Sequence, residues 1–229
     1  MLKREAEWLG SRIQRLDQGL LFPLINVGSS TRKVREIDQP WIDECIFAPM
    51  RRSGGRITHL DLKPDDGVDI VGDMNDPACW SLLTALAPRS VFCSNVLEHV
   101  TDRPALCSKI VELVAPGGFV ILSVPRAFPY HPDPIDTMFR PSVDELVALF
   151  PGTRLLTGEI VDCGTLFVLL DRNLTRLARK VATMVVDRGR GAPAAEGGNG
   201  ARGAGLADWL YPWAFRQFQA TCAVLQKHA

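Results

Sequence analysis

The chain has 229 residues, 46% of them hydrophobic, and its 26 basic and 26 acidic side chains give a formal net charge of zero. This balance excludes nucleic acid as the main partner, because proteins that bind nucleic acids cluster Lys and Arg against the phosphates. The length predicts one domain over residues 1–229. The six cysteines form no CxxC pair and several stand in apolar runs, which predicts free thiols and a cytoplasmic location.

The first 20 residues predict an amphipathic helix, because Leu9, Ile13, Leu16 and Leu20 recur at helical spacing. The basic start is not followed by a continuous apolar segment, so a signal peptide is not expected. A membrane-spanning helix is not expected either, because it needs a run of about 18 apolar residues and the sequence has none.

Strands and helices alternate over the next 130 residues or so. Continuous apolar runs predict buried strands within residues 21–28, 56–64, 67–73, 89–95 and 119–125, and a later strand or hairpin within 153–171. A last strand is predicted at residues 218–227. Strands that are apolar throughout indicate a mostly parallel sheet with helices on both faces, an α/β fold of Rossmann-like, doubly wound type.

Two helices carry local signals for their ends. Leu106, Ile110 and Leu113 predict a helix that Gly117 and Gly118 terminate. Further on, Ser142 and Glu145 have the spacing of a capping box, directly before an apolar stripe.

Polar or small residues stand at the predicted strand ends: Gly28, Asp61, Asp73 and Asn95. In sheets of this kind, ligands bind outside the carboxyl ends of the strands, near the point where the strand order reverses. The acid and imidazole that follow the strand in SVFCSNVLEHV (residues 90–100) are therefore expected to face a ligand.

Residues 172–215 read as a helical, low-complexity insertion before the last strand. A basic amphipathic helix is followed by a Gly-rich stretch and then by clustered aromatic side chains. Two interpretations stay open: the segment packs on the domain or on a second subunit of a homodimer, or it makes a peripheral contact with an anionic membrane.

The pattern resembles the class I S-adenosylmethionine-dependent methyltransferases, in particular their small-molecule branch with an LEHV signature. The segment SNVLEHVTDRPALCSKIVELVAPGGFVILSVP (residues 94–125) carries most of the resemblance, and HLDLKPDDGVDIVGDM (59–74) adds to it. The first loop, NVGSSTRKV (26–34), departs from the family, since Asn26 stands where an acid is common and Gly28 is the loop's single glycine. The resemblance implies an antiparallel last strand and S-adenosylmethionine as the cofactor.

Carried over by position, the resemblance implies a cofactor site. Asp61 would accept hydrogen bonds from the ribose hydroxyls, and Asp73 would accept one from the adenine amino group. The full set of implied cofactor-binding residues is Asn26, Gly28, Ser29, Asp61, Leu62, Asp73, Met74, Asn95, Leu97 and His99. The acids also fit ordinary helix caps or turns, and Glu98 with His99 also fits a structural cap of the next helix.

The loop PRAFPYHPDPIDTMFRPS (residues 125–142) is the predicted acceptor side. His131 is the candidate catalytic base, because an imidazole with a pKa near 6.5 accepts a proton at neutral pH. Asp133 or Asp136 would orient it, and Arg140 would hold an anionic acceptor or pair with Asp136. The alternative is a Pro-rich lid in which these groups only hydrogen-bond the loop. No metal site is expected, since the spacing of His and Asp here is unspecific.

The same loop is similar to that of bacterial methyltransferases of glycan assembly, so a small-molecule or glycan hydroxyl is the expected acceptor. Two other classes of function are alternatives. A nicotinamide-dependent oxidoreductase would need GxGxxG after the first strand, which this chain lacks. A non-catalytic binding protein that keeps the fold is favoured by Asn26 and the single glycine.

Overall fold

A computed structural model describes residues 1–165 and 216–229 of the chain. The chain forms two compact units, residues 1–163 with 219–229, and residues 164–218. Most of the second unit, including the predicted insertion 172–215 and its basic helix, lies outside the described residues. No helix in the described part is long and apolar enough to cross a membrane.

Seven described strands form one mixed sheet. They are β1 (Leu24–Val27), β2 (Ile57–Asp61), β3 (Ile70–Val71), β4 (Ser90–Ser94), β5 (Phe119–Ala127), β6 (Thr153–Gly164) and β7 (Phe218–Lys227). Their order is β3-β2-β1-β4-β5-β7-β6. The pairs among β1 to β5 are parallel, and β7 runs antiparallel to β5. The predicted Rossmann-like sheet with an antiparallel last strand is confirmed.

Six α-helices surround the sheet in the described residues: α1 (Lys3–Ile13), α2 (Gln18–Leu21), α3 (Ala48–Arg52), α4 (Pro77–Ala85), α5 (Arg103–Leu113) and α6 (Val143–Val147). Two π-helical turns, Val34–Asp38 and Asp43–Phe47, and a 3-10 turn, Leu97–His99, complete the helical structure. The capping box of Ser142 and Glu145 begins α6 as predicted.

The amino-terminal helix is shorter than predicted. The helical spacing of apolar residues runs on to Leu20, but α1 ends at Ile13 and α2 is a separate turn. The break arises because the Asp17 carboxylate accepts a 2.7 Å hydrogen bond from the Gly19 N–H, which starts a new helix instead of continuing the first.

Both faces of the sheet are covered because successive strand residues point to opposite sides. Val91 and Cys93 of β4 lie in the core beneath α4, α5 and α6. Phe92, between them, faces the other way and packs edge-on against Phe47, with 5.5 Å between the ring centres. Thus the segments before β2 cover one face and the later helices cover the other.

Candidate active site

The strand order reverses between β1 and β4, so the crevice outside their carboxyl ends is where this fold binds ligands. Gly28 and Asn95, the residues directly after these two strands, both have positive φ, 66° and 54°. Gly28 is exposed, but one side of it is closely packed. A Cβ added there would lie 2.3 Å from a methyl carbon of Val96. The close packing of Val96 is therefore sufficient to explain why this position is a glycine.

The loop after β1 is held by Arg35, a residue that the sequence analysis missed. This buried guanidinium donates to the carbonyl oxygens of Ser29, Ser30 and Gly67, at 2.9, 2.6 and 2.8 Å. Burial lowers the pKa of Arg35, although nearby acids, Glu36 first, oppose this. These three hydrogen bonds fix the loop after β1. They could not be predicted from the sequence, because an Arg in a polar segment is usually exposed to solvent.

Asn26 lies inside the fold. Its buried side chain amide lies 3.0 Å from Nδ1 of His59, a residue of the neighbouring strand β2. Burial lowers the pKa of His59 to about 4, so the imidazole is neutral at pH 7 and its Nδ1 accepts from the Asn26 amide. The Asn26 side chain is therefore buried on one face of the sheet, where its partner is the neighbouring strand.

Asp61 lies at the end of β2, half-buried. One carboxylate oxygen accepts from the Ser30 N–H at 2.7 Å and the other from the Lys63 N–H at 3.1 Å. Two exposed apolar residues are its neighbours: Leu62, the next residue in the chain, is 68% exposed, and Val71, the register partner of Asp61 on β3, is 49% exposed. A half-buried carboxylate acceptor and exposed apolar surface therefore occur together at this edge of the sheet.

Asp73 and Met74 follow β3. The Asp73 side chain is exposed, and one of its oxygens accepts from the Asn75 N–H at 2.8 Å. Met74 is buried and belongs to the hydrophobic core. The structure therefore places Asp73 near the same edge as Asp61 and gives Met74 a packing role beneath it.

Asn95 and Leu97 do not point freely into the crevice. The Asn95 amide donates to the buried Glu5 carboxylate at 2.9 Å and to the Ser94 hydroxyl at 3.0 Å. Ser123 of β5 donates to the same Glu5 oxygen at 2.7 Å. Leu97 is fully buried in the core. Glu5 of α1 is a further residue that the sequence analysis missed.

Glu98 is the least expected feature of the site. Its side chain has 0% exposure, and neither of its oxygens has a hydrogen-bond partner within the described part of the chain. The cap of α5 is Asp102, which accepts from the Ala105 N–H at 3.1 Å. Glu98 therefore does not cap this helix, which was one of the two interpretations of the sequence.

Two histidines lie against Glu98. Nε2 of His99 is 3.7 Å from its Oε1 and Nε2 of His131 is 3.8 Å from the same oxygen. Both distances exceed a hydrogen bond. The rings of His99 and His131 stand edge to face, with 5.2 Å between their centres. Residues 32 positions apart thus share one small volume, which joins the end of β4 to the loop after β5.

The loop after β5 is organised by Asp136. This buried carboxylate binds the Arg140 guanidinium at 2.7 and 3.2 Å and accepts from the His131 N–H at 3.0 Å and the Met138 N–H at 2.8 Å. Burial alone would raise the pKa of Asp136, but Arg140 and the two N–H groups lower it to about 2. The predicted pairing of Arg140 with Asp136 is the arrangement found.

His131 is oriented by two acceptors. Its Nδ1 lies 3.0 Å from the Pro129 carbonyl oxygen and 3.2 Å from an Asp136 oxygen. Burial lowers the pKa of His131, but Glu98, the Pro129 carbonyl and Asp136 outweigh it, so the pKa lies above the ordinary value. Asp133, the other predicted orienting acid, is exposed and pairs with Lys63 at 3.0 Å.

No protein-family model matches the sequence, and no curated protein matches it. Solved structures do match. A crystal structure of coclaurine N-methyltransferase bound to N-methylheliamine and SAH superposes with a TM-score of 0.55 and 12% identity, over 97% of this chain and 69% of that one. A putative sarcosine dimethylglycine methyltransferase from Galdieria sulphuraria gives 0.56 and 12%, over 97% and 84%. The protein therefore has a class I methyltransferase fold.

Proposed function

We propose that the protein is an S-adenosylmethionine-dependent methyltransferase that acts on a hydroxyl of a small-molecule or glycan acceptor. The observation that carries this proposal is the edge formed by β2 and β3. There the Asp61 carboxylate stands between two exposed apolar side chains, Leu62 and Val71, at the carboxyl end of a methyltransferase-fold sheet. A nucleoside presents the matching chemistry, ribose hydroxyls beside a flat ring.

The residues present fit this cofactor in three respects. Each oxygen of the half-buried Asp61 carboxylate accepts one backbone N–H and keeps further acceptor capacity for a ribose hydroxyl. Asp73 adds an exposed acceptor for an amino group. Gly28 exposes its backbone after β1. When bound, the cofactor supplies a methyl group activated by a sulfonium.

The acceptor is proposed to lie against residues 125–142. There His131 is held by Pro129 and Asp136, and Arg140 is held by Asp136. Such residues position a nucleophile and exclude water, and correct placement is the largest contribution that a protein makes to a transfer of this type. The glycan class is supported by the resemblance of this loop to methyltransferases of glycan assembly.

The test is a calorimetric titration of the protein with S-adenosylmethionine, followed by detection of S-adenosylhomocysteine with a panel of hydroxylated acceptors. Binding at one site per chain together with product formation is the expected result. A protein that shows no cofactor binding under conditions where it is folded would contradict the proposal.

A second candidate is a non-catalytic protein that keeps the fold, and the packing of Val96 on Gly28 favours it. The substitution Val96→Ala tests this candidate, because it removes the methyl groups that pack on Gly28. If that packing prevents cofactor binding, the variant should bind S-adenosylmethionine and the wild type should not. If the wild type already binds the cofactor and turns it over, this second candidate is wrong.

A further inference from the structure

Three side chains from two separate segments bring metal-ligating atoms together at the carboxyl edge of the sheet. A carboxylate oxygen of Glu98 and one nitrogen each of His99 and His131 all lie within 4.8 Å of one another. We name these residues the Glu98–His99–His131 cluster. None of the three is explained by a cap or by a hydrogen bond among themselves.

Glu98 needs a positive partner. Its carboxylate is fully buried and lacks hydrogen bonds within the described residues. An isolated carboxylate in a protein interior is strongly unfavourable, and buried charges are found paired or bound to metal ions. Two guanidinium groups near Glu98 have other partners, since Arg140 is bound to Asp136 and Arg103 donates to Val100 and Thr137. Among the described residues, the cationic groups within 4 Å of the Glu98 carboxylate are the two imidazoles.

Both imidazoles have the orientation of metal ligands. Nδ1 of His99 lies 2.5 Å from the Ile135 carbonyl oxygen, and Nδ1 of His131 lies 3.0 Å from that of Pro129. A carbonyl oxygen accepts a hydrogen bond and cannot donate one, so each Nδ1 carries the hydrogen and each Nε2 keeps its lone pair. Metal-binding histidines are characteristically fixed in this way by a second hydrogen bond.

The spacing also fits a small cation. Ligand bonds of about 2.1 Å in a tetrahedral site place neighbouring ligand atoms roughly 3.4 Å apart. In the cluster the two Nε2 atoms are 3.7 and 3.8 Å from Glu98 Oε1. Both distances are within about 0.4 Å of that value, and all three ligand atoms lie within 4.8 Å of one another.

We propose that Glu98, His99 and His131 bind one divalent metal ion of the zinc type. Two imidazoles and one carboxylate are a donor set suited to Zn²⁺, and three protein ligands leave a fourth position open. The histidine side chains are 19% and 26% exposed, so this position is reachable from solvent. The two acids of the loop after β5 do not belong to this ligand set, because Asp133 pairs with Lys63 and Asp136 with Arg140.

An ion at this place would hold an oxygen of the acceptor beside the loop 125–142. This consequence rests on the proposed function, whereas the metal site itself does not. A protein that binds Zn²⁺ but neither binds nor uses S-adenosylmethionine would remove the proposed function and leave the metal site intact.

The experiment measures metal binding by the full chain after chelator treatment. We expect one Zn²⁺ per chain by elemental analysis after dialysis. We also expect a rise of roughly 5–10 °C in the thermal midpoint at free Zn²⁺ one hundredfold above its Kd. Co²⁺ should give the visible spectrum of nitrogen and oxygen ligands with no thiolate charge-transfer band, which separates the cluster from the six cysteines.

Glu98→Gln and His131→Gln should each weaken Zn²⁺ binding by at least tenfold, and having two variants guards against one that does not fold. His228→Ala, which removes an exposed histidine, is the matched control and should bind as the wild type does. The proposal is overturned by an absence of stoichiometric binding, by a cobalt spectrum of thiolate type, or by equal binding in the folded Glu98→Gln protein.

Discussion

The Asn95 amide donates a 2.9 Å hydrogen bond to the Glu5 carboxylate, although 90 residues separate them in the chain. Ser123 donates to the same oxygen at 2.7 Å, and the other oxygen accepts from the Leu2 N–H at 2.8 Å. One buried acid in α1 therefore ties the first helix to the ends of β4 and β5. Asn95, which the sequence predicts as a cofactor contact, therefore has its side-chain amide bound to Glu5.

Glu5→Ala should destabilise the protein by about 2–3 kcal/mol, because the half-buried Asn95 amide and the buried Ser123 hydroxyl lose their charged acceptor. Thermal and urea denaturation would measure the change. Glu7→Ala is the control on the same helix, since the Glu7 side chain is 49% exposed and forms an ion pair with Lys3 at 3.4 Å. Equal losses in the free energy of unfolding for the two substitutions would show that the hydrogen bonds of Glu5 do not stabilise the fold.

Asp61→Asn should weaken S-adenosylmethionine binding by roughly tenfold to a hundredfold, since hydrogen bonds to a charged acceptor are worth about 1.5–3 kcal/mol. Calorimetric titration gives the affinity directly. Asp65→Asn removes an exposed acid four residues away and should change little. An unchanged affinity in folded Asp61→Asn protein would reject the assignment of Asp61 to the ribose.

The sheet could be predicted because each of its strands leaves a signal in a short stretch of the sequence. Strands that are buried on both faces must be apolar throughout, and such runs are visible in one sequence. The polar strand ends were visible for the same reason, since Asp61 and Asp73 interrupt apolar runs. Strand ends of this kind predict which edge is the site.

The partners of these residues could not be predicted in the same way. Glu5 and Arg35 occupy positions where a charged residue normally faces water, and only the folded chain shows that each is buried among backbone or amide groups. The sequence leaves Glu98 open between facing a ligand and capping the next helix, and the folded chain shows that Asp102 is the cap. Long-range contacts of this kind leave no periodic signal in the sequence.

His131→Ala should slow turnover by about a hundredfold, because it removes from the proposed acceptor site an imidazole nitrogen that either accepts the proton or, with the proposed ion bound, holds the metal. Cofactor affinity should change by less than about twofold, because His131 lies in the loop after β5 and not among the groups proposed to hold the nucleoside. Steady-state kinetics on the identified acceptor, with calorimetry for the cofactor, measure both. His228→Ala is the matched control. Full activity of the His131 variant would reduce His131 to a part of the loop's framework.

The stability of the protein should depend on His59 in mildly acidic solution. Burial holds the pKa of His59 at about 4, against 6.5 for the free imidazole. The unfolded chain therefore binds a proton in this interval that the folded chain does not, so the free energy of unfolding falls as the pH falls from 6.5 to 4. The full effect is about 3 kcal/mol. His59→Gln keeps an acceptor for Asn26 and cannot titrate, so urea denaturation at several pH values should show a flatter dependence than in the wild type. Parallel curves for the two proteins would show that His59 is protonated equally in both states.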